Sequence, residues 1–241
     1  MTETLHLAPG ILQETSFLPI TNTLFVTWIA TFILLCLSFL ATRRMRLVPN
    51  GAQNAAELVV ESFYNLTASL SSYKKARTIV PLVLTFFLFI LTANWLGLLP
   101  GFGTIGRNVH GEFIPYLRAP TSDLNVTLSL ALVSVALTHF LAIRYLGFKG
   151  YLHKWFSLNP IFLFVGFLEL IGEVTKLVSL SFRLFGNIFA GEVVLGTISG
   201  LFAFIAPLPF YALEVIVGLV QAAVFAILTL VFIVVLSEKS H

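Results

Sequence analysis

Six polar side chains stand within one apolar, proline-free run: Glu169, Glu173, Lys176, Arg183, Asn187 and Glu192. Water solvates such groups at little cost, but a bilayer does not. A central arginine costs about 2.5–3.5 kcal/mol on insertion scales, and more in simulations of an isolated helix. A chain that keeps such a set is moving charge or holding a charged partner.

The elements that must position these groups are membrane helices. The chain of 241 residues is 58% hydrophobic and only 10% charged, whereas a soluble domain carries about 25% charged residues. It therefore reads as an all-α membrane protein in a single domain, without room for a separate soluble catalytic module. The lone Cys36 lies in an apolar run, and the histidines (6, 110, 139, 153, 241) lack metal-ligand spacing. No nucleotide loop or dinucleotide fingerprint is present, so no metal, cofactor, nucleotide or nucleic acid is expected.

Residues 1–23 read as an external segment without the basic region of a signal peptide. Residues 24–41 form a first span, closed on the cytoplasmic side by Arg43, Arg44 and Arg46. Residues 50–72 place Gln53, Glu57, Glu61 and Asn65 at helical spacing, an amphipathic helix on the cytoplasmic surface or against a partner. Residues 79–99 form a second span, with Asn94 and Trp95 near its outer end. Residues 100–123 are an external loop rich in glycine and proline, containing Arg107 and Arg118.

A third span covers 124–143, with Asp123 at its outer mouth and Asp123, Thr127, Ser134 and Thr138 on one stripe. Asn159 and Pro160 read as a cap and first residue of a long helix over 160–200. That helix would be about 60 Å long, twice the hydrocarbon thickness of about 30 Å, so it is broken or steeply tilted. Pro207 and Pro209 read as a turn, a final helix covers 207–236, and 237–241 is a cytoplasmic tail. Of the 14 Lys and Arg residues, only Arg107 and Arg118 lie outside, and only Lys176 and Arg183 within the membrane.

At about 100° per residue, Gly172, Lys176, Ser179, Arg183, Gly186, Asn187 and Ala190 share a face. Glu192 points about 180° from Arg183 and lies ~13.5 Å further along the axis. Folding the last two helices about residue 205 sets Glu192 level with residues near 218, close to Glu214. Gln221 and Phe225 fall closer to Arg183. Two polar routes at different depths emerge, with one fixed positive charge between them.

The less functional readings are specific. Arg183 could pair with Glu173 or Glu192, and Glu192 and Glu214 could share a proton and stitch the hairpin. Asp123 could cap a helix, Lys176 could snorkel, and His139 and Asn94 could be interhelical hydrogen bonds. A secondary ion-coupled transporter with a charged midplane site is the main functional rival. A purely structural membrane subunit is the other.

The segment SFRLFGNIFAGE resembles the arginine-bearing helix of the a subunit of F-type ATP synthases. PTSDLNVTLSLAL resembles that family's third span, LVQAAVFAILTLVFI its last helix, and NWLGLLPG the end of its second. The resemblance implies a non-catalytic, ion-translocating subunit of the membrane sector, partnered by the c-ring, by subunit b of the peripheral stalk and by the remaining synthase. It implies a bacterial inner membrane, with the N-terminus outside and the C-terminus in the cytoplasm. It makes Arg183 the essential arginine, with Ser179, Gly186, Asn187 and Ala190 facing the ring. Asn187 and Gln221 become its polar neighbours. Glu192, Glu214 and Asp123 fall in an outer half-channel, and Glu169, Glu173 and Lys176 in an inner one. Glu214 stands where some members carry histidine.

Overall fold

The computed structural model describes residues 10–13, 20–43, 45–47, 51–109, 112–155, 160–201 and 207–238. Among them are six helices, five of which are long and apolar enough to cross a membrane. The protein is an all-α membrane protein.

Helix α1 (Asn22–Thr42) opens where the Thr21 hydroxyl accepts the Leu24 N–H at 3.3 Å, as an N-cap should. It stands at the margin, with Trp28, Phe32 and Leu35 exposed to the surrounding apolar phase. Gln53 then turns the chain. Its amide accepts the Arg46 N–H at 3.0 Å and donates to the Arg46 carbonyl at 2.9 Å. Helix α2 (Ala52–Leu70) lays Val59 and Phe63 on the core and leaves Asn54, Glu57, Glu61 and Asn65 exposed.

Helix α3 (Tyr73–Gly97) starts six residues before the span read over 79–99, because the Lys74–Arg77 segment is already helical. Its Ile79, Val83, Phe86 and Ile90 pack with Ala222, Phe225, Leu230 and Ile233 of α6 (Pro207–Leu236) to make the core. The loop read over 100–123 contains a small antiparallel hairpin, β3 (Gly106–Val109) with β4 (Glu112–Pro115), and a 3-10 turn at Pro120–Ser122. A second hairpin, β1 (Ile11–Gln13) with β2 (Ile20–Thr21), precedes α1. The two are tied by Asn22 Nδ2, which donates to the Pro115 carbonyl at 3.0 Å.

Helix α4 (Leu124–Trp155) outruns the span read over 124–143, and it breaks at Gly147, where φ is 74° and ψ 157°. Positive φ is what glycine supplies cheaply. Beyond the break the chain brings the Trp155 backbone against Gly166, where a Cβ would collide with the Trp155 carbonyl. Helix α5 (Pro160–Leu201) is one continuous helix of 42 residues, about 63 Å long at 1.5 Å per residue. Pro207 and Pro209 are not the turn but lie in the first turn of α6, where a helix needs no N–H partner. The turn itself (202–206), the Asn159 cap and residues 239–241 lie outside the described residues.

The polar stripe of α4 faces inward. Asp123, Thr127, Ser134 and Thr138 are all buried. Thr127 meets Ser181 of α5 at 3.2 Å, and Ser134 meets Thr229 of α6 at 2.8 Å. Asn94 does similar work at the outer end. It donates to the Gly218 carbonyl at 3.0 Å and accepts from the Thr121 hydroxyl at 2.6 Å. These bonds satisfy polar groups where lipid offers no substitute, and they fix the register of α3, α4 and α6.

Candidate functional site

Because α5 is uninterrupted, its helical period holds from Glu169 to Glu192. Leu180, Ser181, Leu184, Ile188 and Gly191 are buried against α4 and α6. Ser179, Arg183, Gly186, Asn187 and Ala190 emerge together on the open side. A Cβ at Gly172 or Gly186 would meet nothing within 4 Å, so this face is flat and free of the chain's own side chains. Arg183 Nη2 donates to Ser179 Oγ at 3.2 Å. Among the described residues, Arg183 makes no ion pair with any carboxylate. Gly172, Lys176, Ser179 and Arg183 border an open groove of about 380 Å³, floored by Leu228 and Phe232 of α6.

Both carboxylates that could have neutralised Arg183 are engaged elsewhere. Glu192 lies 3.6 Å from Arg118 Nε. That guanidinium is itself buried and held by the Pro120–Ser122 turn, donating to Ser122 Oγ at 3.1 Å. Arg118 is thus an internal residue, although its loop position reads as external. Asp123, next along, caps α4 by accepting the Asn125 N–H at 2.9 Å, and accepts the Thr23 hydroxyl of α1 at 2.8 Å.

Glu214 enters the same outer region from α6. A Cβ on Gly191 would overlap its carboxyl group, so the missing side chain is what lets Glu214 lie against α5. Among the described residues, Glu214 makes no hydrogen bond or ion pair, and none joins it to Glu192. The Gly191–Glu214 approach sets Glu192 level with Glu214 itself rather than with residue 218. Gln221, half-buried on α6, lies two turns further in. Gly191→Ala should therefore destabilise the hairpin by about 1–3 kcal/mol through overpacking. Adding Glu214→Ala should recover most of that loss, measured as thermal unfolding of the detergent-solubilised subunit.

The inner cluster is denser. Glu173 Oε1 accepts from Lys176 Nζ at 2.6 Å, and Glu173 Oε2 lies 3.7 Å from His139 Nε2 of α4. Lys176 also lies 4.8 Å from the centre of the Phe232 ring, a cation–π distance. His139 Nδ1 meets the Tyr151 hydroxyl at 2.9 Å. Glu169, one turn before Glu173, is exposed and has no polar partner among the described residues.

The charged groups thus separate into an outer set (Arg118, Asp123, Glu192, Glu214), an inner set (His139, Glu169, Glu173, Lys176) and an open-faced arginine between them. Arg118 and Tyr151 are the members that residue spacing did not single out. A basic side chain beside Pro-Thr-Ser-Asp, just ahead of an apolar helix, was the available signal for the first.

This chain matches the family model described as ATP synthase A chain over residues 24–234. It is 38% identical over 230 residues to ATP synthase subunit a of Moorella thermoacetica, covering 95% of this chain and 96% of that one. It is 34% identical to ATP synthase subunit a of Syntrophobacter fumaroxidans over 220 residues, 89% of this chain and 84% of that protein. It is 36% identical to ATP synthase subunit a 3 of Pelobacter propionicus over 239 residues, 98% and 94% of the two chains. A multi-pass architecture, an arginine-centred membrane helix and these full-length similarities agree, and the chain belongs to the family of ATP synthase subunit a.

Proposed function

We propose that the protein carries protons through two offset half-channels to and from the carboxylates of a c-ring, with Arg183 as the barrier between them. Family membership carries the coarser statement: this is a proton-translocating subunit of the ATP synthase membrane sector, in an energy-transducing membrane. The finer reading rests on one observation. Arg183 is exposed on a flat face of α5 without a carboxylate partner among the described residues, while Glu173 and Glu192 are held by other cations.

An unpaired guanidinium at membrane depth needs a partner from outside the chain. A ring carboxylate arriving at ~4 Å, in an effective dielectric near 20, is attracted by about 4 kcal/mol. That holds an ionised site without trapping it. Protons enter past Asp123, Glu192 and Glu214, neutralise the ring carboxylate, and leave it on the far side toward Glu169, Glu173 and Lys176. Asn187 and Gln221 keep the arginine's surroundings polar. Each charge crossing contributes about 2.3 kcal/mol per 100 mV, so several crossings combine for one synthesis step.

The excess of basic residues at one end of the spans supports an outside N-terminus and a cytoplasmic C-terminus. The remaining synthase, including subunit b of the peripheral stalk, would hold the chain still. A secondary transporter would place its site at paired broken helices, and among the described residues neither α5 nor α6 is broken. The discriminating experiment is proton flux in liposomes. Flux should require the reconstituted c-ring, and flux through this subunit alone would sink the half-channel reading.

A further inference from the structure

The inner cluster contains more than a salt bridge. Glu173, His139 and Tyr151 form a row of exchangeable groups that begins beside Lys176 of the groove beneath Arg183, crosses one 3.7 Å gap, and ends on the segment beyond Gly147. We infer that His139 is a proton-transferring residue on the inner route, with the Tyr151 hydroxyl as the group that passes the proton on. This rests on the half-channel reading and adds a route for the proton's exit.

The geometry supplies each link. Lys176 lines the groove and holds Glu173 at 2.6 Å, which places a carboxylate immediately beside it. His139 Nε2 stands 3.7 Å from Glu173 Oε2, a separation that a small side-chain rotation shortens to a hydrogen bond. On its far side, Nδ1 is already within 2.9 Å of the Tyr151 hydroxyl. The Gly147 break makes this possible. A straight α4 would carry Tyr151 away along the axis, whereas the broken one returns it beside His139, with the Trp155 ring tilted 49° against the imidazole at 6.2 Å between centres. Glu173 and Lys176 from α5, and Tyr151 and Trp155 from α4, are the charged, titratable or polar groups that face the ring; Phe232 covers Lys176 from α6.

The transfer balances in the tautomer that carries hydrogen on Nδ1. The O–H bond on protonated Glu173 breaks as an N–H bond forms on Nε2. Nδ1 then gives its proton to the Tyr151 oxygen while the phenolic proton passes to water. Nε2 then gives its hydrogen to water as Nδ1 takes one from water, which restores the starting tautomer. Neither nitrogen is used up, and the Glu173 carboxylate returns to Lys176.

The test uses the assembled complex in inverted membrane vesicles. Passive proton conductance is measured after stripping the catalytic sector, and ATP-driven pumping before it, from about pH 5 to about pH 8, across the range in which imidazole titrates. His139→Gln keeps a polar side chain able to bond Tyr151. It should lower conductance by at least about tenfold, as loss of a proton-transfer group does, and flatten its pH profile. Imidazole added to His139→Ala should restore part of the flux. Ring-dependent flux unchanged by His139→Gln overturns the inference alone. So does a loss that leaves the pH profile intact and resists imidazole, because that is the behaviour of a packing residue. If His139→Gln does not assemble, Tyr151→Phe decides: an altered pH profile supports the relay, and an unaltered one overturns it. Ring-independent flux in the wild type would overturn the parent reading and the relay with it.

Discussion

Arg183→Ala is expected to abolish coupled ATP synthesis while leaving the subunit inserted and assembled. The side chain is exposed, its one hydrogen bond among the described residues is to Ser179, and no carboxylate among them loses a partner. Removing a membrane-level charge should ease insertion, since that charge costs about 2.5–3.5 kcal/mol at a helix centre. The loss falls on the interaction with the incoming carboxylate. About 4 kcal/mol of attraction corresponds to roughly a thousandfold in rate or occupancy. With the barrier gone, passive proton leak through the membrane sector should rise as synthesis falls. Arg183→Lys keeps the charge but loses the planar fork, so it should fail to restore full synthesis. Synthesis in vesicles, leak, and the amount of subunit in the purified complex are the three readouts. Wild-type synthesis in the alanine variant would end the arginine hypothesis.

The second large effect is expected at the outer end. Arg118→Leu leaves the Glu192 carboxylate without the cation 3.6 Å away, with their side chains 9% and 26% exposed. Breaking a buried pair on one side costs about 3–5 kcal/mol, and the partial exposure of Glu192 places this case at the lower end. Such a loss is a large part of a domain's total stability of about 5–15 kcal/mol. The variant should therefore accumulate poorly and unfold early in detergent. Adding Glu192→Gln removes the stranded charge and should recover most of the stability. On the half-channel reading it should not recover ATP-driven pumping, because the outer route would lack its carboxylate. Equal instability in the single and double variants would show that the ion pair is not what holds the turn to α5.

Signals along the helix axis were legible in the residues, and signals across the fold were not. The extent of α5 follows from the absence of proline between Pro160 and Pro207, while the residues leave its continuity open and the fold shows it; the inward stripe of α4 follows from the spacing of Asp123, Thr127, Ser134 and Thr138. The shared face of Ser179, Arg183, Gly186 and Asn187 is simple helical arithmetic. Arg118 could not be assigned to Glu192 in that way, because they are distant in sequence and the return of α5 alongside α4 sets the meeting. Tyr151 was hidden for a related reason. Its approach to His139 depends on one positive-φ glycine, and periodicity assumes a straight helix. Pro207 and Pro209 look like a turn in composition yet sit in the first helical turn, where proline is equally at home.

The continuity of α5 also has a mechanical side. A hingeless helix behaves as a beam, and this one is seated along its inner face by Leu180, Ser181, Leu184 and Ile188 and propped again near both ends. The Trp155 backbone backs Gly166 at one end, and the Arg118 turn with Glu214 backs Gly191 and Glu192 at the other. The supports are about 38 Å apart at 1.5 Å per residue, and Arg183 stands between them on the unsupported side. A partner thrusting sideways against the guanidinium would load α5 in bending. Its deflection would be shared along the seated face and the two props rather than absorbed at a joint.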